Sequence, residues 1–272
     1  MEHLPIIDTH LHALELSPGE SDAPDTPEQY LRDTLALLEK FNIRGVTSGP
    51  KDLVRQWRQA APDRIIPGIL FSRPDEITLD WIEEAFGTGD LAVLGEITTQ
   101  LEGIPPDDPS LEPIFSLAER LDIPVGFHMG LAAPGAAYGE NPKYRASLSN
   151  PLLLEDVLIR HPHMRLYVMH AAWPMLSEMI HLLYCHPQVY VDTGVIDWFL
   201  PKAEFYTYLG RIVNAGFGDR VMFGSDEMLW PQAIPKAIEA IETADFLSDD
   251  LKRNILFRNA ARFLRLDQQE VT

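Results

Sequence analysis

The chain has 272 residues, 46% of them hydrophobic and 23% charged, a globular composition that excludes a disordered, collagenous or channel-forming protein. No apolar run approaches the roughly 18–20 residues of a membrane span, and the first five residues, Met-Glu-His-Leu-Pro, lack the basic start of a secretory signal. Lys and Arg total 22 against 41 Asp and Glu, a net charge of −19 that repels phosphate backbones and anionic headgroups. Nucleic-acid and membrane roles are therefore not expected, and most of the acidity reads as a solubility feature. The one cysteine, Cys185, makes no internal disulfide and fits a cytoplasmic setting.

Short apolar runs alternate with helical patterns from end to end. Residues 5–10 predict a first strand, and a polar, Pro- and Gly-rich stretch follows over 17–25. Thr26-Pro-Glu-Gln29 reads as a capping box with proline at the first helical position, and Leu31, Leu35 and Leu38 then recur on one face. Strands are predicted over 44–48, 64–70 and 91–97, with a helix from Asp108-Pro109 that keeps Leu111, Phe115 and Ala118 in register. A fifth strand, 124–128, leads into a longer loop over 130–150, and Asn150-Pro151 opens the next helix. Strands over 166–170, 189–192 and 220–225 complete the series, and a last helix begins near Ser248 and runs through Ile255 and Phe263 over about 248–266. Eight β-then-α units without a long linker predict one (β/α)8 TIM-type barrel domain over 1–272. The rival, a doubly wound open sheet, lacks a Gly-rich nucleotide loop after the first strand.

The nine histidines are unevenly placed. His10 and His12 form a His-x-His pair at the end of the first strand, where period-two geometry puts both side chains on one face. His128 closes the fifth strand and His170 the sixth. Asp226 follows the eighth, and Glu96 lies near the end of the fourth. In a barrel all these strand ends open on one mouth. Four imidazoles and two carboxylates there make a nitrogen/oxygen site suited to Zn²⁺ or a similar divalent ion. His3, His161, His163, His181 and His186 read instead as surface or helix-end residues.

Ile-Ile-Asp-Thr-His10-Leu-His12, the single histidines ending strands five and six, and Phe-Gly-Ser-Asp226 resemble the amidohydrolase superfamily. The Gly-Ser-Asp form and Asn259-Ala-Ala-Arg262-Phe resemble its family 2 branch of TIM-barrel metal-dependent hydrolases. Two-metal members bridge their ions with a carboxylated lysine or a glutamate on strand four. Glu96 in Leu-Gly-Glu resembles the glutamate form of TatD-type enzymes. Many family 2 members hold one metal, with ligands matching His10, His12, His128 and Asp226 and the strand-six histidine beside the bound water. The reading favours two ions over one, Zn²⁺ first, with Mn²⁺ or another divalent ion as alternatives.

A bound divalent ion lowers the pKa of water toward about 7. The resemblance implies that Asp226 passes the water's proton to the leaving group and that, in a one-metal version, His170 orients the attacking oxygen or stabilises an oxyanion. The expected reaction is hydrolysis of an amide, ester, lactone or related bond in a small molecule. The alternative is non-oxidative decarboxylation of an aromatic or enolic acid, by enzymes of this branch that typically run longer. A TatD-like or phosphotriesterase-like phosphoester hydrolase is a second alternative, disfavoured for nucleic acids by the charge of −19. A metal-binding barrel without catalysis is the remaining class. Trp173, Trp198 and Trp230, with Tyr138 and Arg145 in the loop after strand five, are candidate substrate contacts, though each also fits ordinary loop packing. Asp192 and Lys143 read as solvated or structural charges. The resemblance, rather than any sequence feature, implies a homo-oligomer.

Overall fold

Eight short strands alternate with helices across residues 4–16 and 21–266, which the computed structural model describes. His3 and residues 17–20 of the polar stretch after strand one lie outside the described residues. In chain order the strands are β1 (Ile6–His12), β2 (Ile43–Ser48), β3 (Ile65–Pro67), β4 (Leu94–Ile97), β5 (Val125–His128), β6 (Leu166–Met169), β7 (Val189–Asp192) and β8 (Val221–Met222). The principal helices are α1 (Pro27–Lys40), α2 (Lys51–Ala60), α3 (Leu79–Thr88), α4 (Glu112–Leu121), α5 (Glu155–Arg160) and α6 (Leu176–Cys185). They continue with α7 (Ile196–Phe199), α8 (Lys202–Ile212), α9 (Ala233–Glu242), α10 (Asp249–Arg253) and α11 (Asn259–Leu264). The described residues form two compact units, one of Gly68–Val191 and one of the chain up to Pro67 and from Asp192 onward.

In the second of these units β1, β2 and β3 pair in parallel in that order. On the other edge of β1, Thr9 N–H donates to Phe223 O at 2.9 Å. All seven residues of β1 are buried, as a strand covered on both faces requires. β8 stops at Met222, short of the predicted 225, because the next backbone donors leave the ladder: Phe223 N–H for Ile255 O, Gly224 N–H for the Thr193 hydroxyl and Ser225 N–H for the Asp8 carboxylate. β3 ends at Pro67, which has no N–H to continue a ladder. Thr26 caps α1 as expected, its hydroxyl accepting from Gln29 N–H at 3.1 Å, but the Gln29 side chain reaches Asp25 N–H instead of the cap's own. The buried face of α1 is Tyr30, Thr34, Leu37 and Leu38, so Leu31 and Leu35 flank the predicted stripe half-buried. Ser248 caps the last helical run, whose Ile255 and Phe263 are buried.

In Gly68–Val191, β4, β5, β6 and β7 pair in parallel in sequence order. Close stacking of β5 on β6 needs Gly126, where a Cβ would come 2.6 Å from the Tyr167 ring. α4 begins at Glu112, four residues later than predicted. Asp108 folds a turn by accepting from the Ser110 N–H and hydroxyl at 2.9 and 2.6 Å, and Pro113, not Pro109, occupies the first helical turn. Leu111, Phe115 and Ala118 are buried in the register expected. Asn150 caps the turn leading to α5, accepting from Leu152 N–H at 3.0 Å.

Candidate metal centre

β1 carries one more residue than β2 between the Asp8–Gly45 and Leu11–Thr47 pairs, a bulge of Thr9 and His10 that includes the first histidine of the His-x-His pair. The rings of His10 and His12 lie 5.1 Å apart, both buried. Asp226 faces them: its Oδ1 is 3.0 Å from His12 Nε2 and 3.8 Å from His10 Nε2. Asp226 adopts φ 45°, a left-handed conformation that costs a non-glycine residue about 1–3 kcal/mol, and its N–H donates to His10 O at 2.7 Å. The other nitrogen of His10, Nδ1, lies 3.0 Å from Asp192 Oδ2.

More acids are buried around this set. Burial pushes the Asp8 carboxyl up to about 7, against hydrogen bonds from Ser225 and the His10 N–H. Asp197, which accepts from the Thr193 hydroxyl at 3.0 Å, is raised well above the carboxylate range by burial, with the charges of Asp8, Asp192 and Asp226 adding to it. Glu227 is raised in the same way, by burial and then by Asp8 and Asp226. It accepts from His12 N–H and from the Tyr30 hydroxyl, which also contacts His12 O and Met228 O. Through Tyr30, α1 is tied to the strand that carries the two histidines.

A second donor set lies in Gly68–Val191. Glu96 sits in β4, His128 ends β5, and His170 follows β6 in a turn whose residues His170, Ala171 and Ala172 have φ 57°, 45° and 55°. Glu96 Oε1 is 3.8 Å from Nε2 of both His128 and His170, whose rings meet edge to face at 4.5 Å. One donor atom from each of the three falls within 4.8 Å of the others, and all three residues are buried. The Gln100 amide contacts His128 Nδ1. With that amide turned so that Oε1 accepts from Nδ1–H, His128 presents Nε2 to the Glu96 side, the arrangement a metal ligand requires.

The amidohydrolase family 2 model, described as Amidohydrolase, matches residues 7–266. The chain belongs to this family of metal-dependent enzymes. A search of curated proteins finds no match. Among solved structures, an uncharacterized TIM-barrel protein from Bordetella bronchiseptica is 22% identical, with a TM-score of 0.69 over 96% of this chain and 99% of that one. A probable 2-pyrone-4,6-dicarboxylic acid hydrolase from Acinetobacter baumannii, with citric acid bound, is 16% identical at a TM-score of 0.70, covering 97% and 100%. The 5-carboxyvanillate decarboxylase of Novosphingobium aromaticivorans, complexed with manganese and 4-hydroxy-3-methoxy-5-nitrobenzoic acid, is 15% identical at 0.69, covering 97% of each chain. These likenesses show a TIM-barrel α/β fold, and the family shows an enzyme of the amidohydrolase superfamily.

The remaining candidates in this amidohydrolase are placed as follows. Trp198 and Trp230 meet edge to face at 6.5 Å, Trp198 donating to Ser225 O and Trp230 to Ser21 O. Trp173 is half-buried beyond His170, while Tyr138 is 97% exposed. Arg145 bonds the carbonyls of its own loop, and Lys143 pairs with Glu102 at 3.1 Å. Asp192 is not solvated: it is fully buried against His10. His161 ends α5 as expected but is buried, held by Glu112 and Glu119 at 2.9 and 3.1 Å. Among the described residues no helix is long and apolar enough to cross a membrane. Sequence reasoning passed over Tyr30, Gln100, Asp197 and Glu227. An available signal was position, since Glu227 directly follows Asp226 and Gln100 lies just beyond β4.

Proposed function

We propose that this amidohydrolase hydrolyses an amide, ester, lactone or related bond of a small molecule at a divalent metal centre. The ligands of one unit are His10, His12 and Asp226, and those of the other are Glu96, His128 and His170. The observation that carries this reading is that each unit brings three buried donors of its own, two imidazoles and one carboxylate, facing one another. Two such sets suit two ions, and their nitrogen/oxygen chemistry suits Zn²⁺ first and Mn²⁺ next. When bound, a divalent ion supplies a water of lowered pKa and polarises an acyl oxygen. Asp226, its carboxylate aimed at two imidazoles, takes the proton of the attacking water and hands it to the leaving group. His170, fixed in its left-handed turn, is a ligand where two ions bind; with a single ion its Nε2 is left to orient the water or the substrate oxygen. The Trp198–Trp230 pair supplies an aromatic wall, and Trp173, Tyr138 and Arg145 are proposed as further substrate contacts.

Decarboxylation is the second reading. It is supported by the likeness to the carboxyvanillate decarboxylase, whose chain is covered to 97%. The test combines metal analysis of untreated protein with a substrate panel: 2-pyrone-4,6-dicarboxylate and other lactones, esters, amides and phosphotriesters. Carbon dioxide release from 5-carboxyvanillate and hydroxybenzoates is measured beside it. Metal-dependent hydrolysis is expected. Carbon dioxide release with no hydrolysis across the panel replaces the hydrolase with the decarboxylase, and a chain that binds no divalent ion overturns both.

A further inference from the structure

We infer that Asp192 is the positioning residue of His10: it keeps a proton on Nδ1 and so presents Nε2 as a lone pair toward Asp226. The inference rests on the metal-centre reading above and adds a residue to it. The two groups are in contact at 3.0 Å and both are fully buried, so water does not compete for the bond. A carboxylate accepts and does not donate, which puts the shared hydrogen on the ring nitrogen. The carboxylate is itself held, because its second oxygen, Oδ1, accepts from Gly194 N–H at 3.0 Å.

The ring has little room to turn away. A Cβ on Gly194 would lie 2.6 Å from His10 Nδ1, and one on Gly224 would lie 2.8 Å from His10 Cβ and 3.4 Å from Asp192 Cβ. Glycine backbone therefore walls both partners of the pair. On the far side of the ring Nε2 looks at Asp226 Oδ1 across 3.8 Å. A lone pair and a carboxylate oxygen at that separation repel, unless a cation lies between them. Histidine ligands commonly donate their other N–H to a carboxylate, which raises the basicity of the ligating nitrogen.

The Gly194 bond makes the amide variant informative. In Asp192→Asn the side-chain oxygen is retained by Gly194 N–H, and the NH₂ is left facing His10 Nδ1. Nδ1 must then accept, and the ring proton moves to Nε2, the nitrogen the metal needs. An amide in place of a histidine-orienting carboxylate is known to select the wrong tautomer.

The experiment is a long-range ¹H–¹⁵N correlation spectrum of histidine-labelled, metal-free protein at pH 8, with His10 assigned through His10→Ala, alongside Zn²⁺ titration by calorimetry. Wild type should show a protonated Nδ1. Asp192→Asn, with unchanged circular dichroism, should show an unprotonated Nδ1 and bind Zn²⁺ about 10–100-fold more weakly. An unprotonated Nδ1 in wild type overturns the inference without any variant, should Asp192→Asn fail to fold. A protonated Nδ1 and full Zn²⁺ affinity in Asp192→Asn overturn it too. Wild-type protein that binds neither Zn²⁺ nor Mn²⁺, yet shows the tautomer switch, overturns the metal centre instead.

Discussion

The unit containing β1 and the unit Gly68–Val191 each hold a buried donor set of two histidines and a carboxylate, but the surroundings of the two sets differ in charge. His10 is backed by the carboxylate of Asp192, with Asp8, Asp197 and Glu227 buried nearby. His128 is backed by the neutral amide of Gln100, and Glu96 supplies the carboxylate of its set. A carboxylate-backed imidazole is the stronger base and the stronger ligand. The difference teaches that two sets of like donors need not bind alike: the His10, His12 and Asp226 set is expected to keep its ion under a chelator after the other has lost its own.

The largest effect should come from the more acidic set. Asp226→Asn keeps the shape of the side chain and removes the proton acceptor, so kcat on whichever panel substrate is turned over should fall by about 10²–10⁴-fold, the scale of general acid–base catalysis. Metal content, measured in parallel, should change far less than turnover. Near-normal kcat in this variant would remove Asp226 from the proton path and leave it a ligand only.

Glu96→Gln tests the other set and counts the ions. Glu96 is the carboxylate of its set, and its charge offsets that of a bound dication. The variant should then fall from about two ions per chain to one or fewer, with activity lower by orders of magnitude. A wild-type stoichiometry of one, unmoved by added Zn²⁺ or Mn²⁺ and by this substitution, refutes the two-ion proposal. The activity loss expected in that case is about 10–100-fold, that of an outer partner.

Gln100→Leu should cost less than Asp192→Asn, because it deletes an orienting partner without imposing the wrong tautomer. A loss near the lower end of that 10–100-fold range in Mn²⁺ or Zn²⁺ affinity is expected, and rescue by Gln100→Glu would show that accepting from His128 Nδ1–H is what matters. If Gln100→Leu binds metal as wild type does, His128 is positioned by packing alone.

How much of this was legible in sequence follows the same divide. The strand-end donors could be read because each belongs to a local pattern: His-x-His, or a histidine or aspartate closing an apolar run. The strands themselves were overdrawn where backbone donors leave the ladder for side chains, as Gly224 and Ser225 do after β8. The supporting residues were not legible, since Asp192 reaches His10 across 182 positions and Tyr30 reaches Glu227 across 197. Asp192 looks like any acid at a strand end until its burial is known. Nor does a single sequence mark His170 or Asp226 as left-handed, because neither is glycine.

The smallest expected effect concerns stability and gives the two units opposite signs. Burial raises the Asp197 carboxyl well above its ordinary 3.8, the Thr193 hydrogen bond only partly opposing it. The folded state therefore holds a proton that the unfolded chain releases. That contribution to stability is complete below about 3.8 and is lost as pH rises through the raised folded value. In Gly68–Val191, Asp108 and Glu119 go the other way. Asp108 is lowered by its bonds from Ser110, while Glu119 is lowered because bonds from His163 and His161 outweigh its burial. Their contribution is present above the ordinary carboxyl range and lost as pH falls. In metal-free protein, amide exchange corrected for intrinsic rates should thus show β1 and α7 opening more readily as pH rises from 5 to 8, with β5 and α4 unchanged or better protected. Asp197→Asn, the shape of the protonated acid without its titration, should weaken the first trend, with the raised Asp8 and Glu227 sustaining the rest, and leave the second alone. Equal pH dependence in both units, or a β1 trend that Asp197→Asn does not weaken at all, would show that the Asp197 proton does not contribute to the difference between the two units.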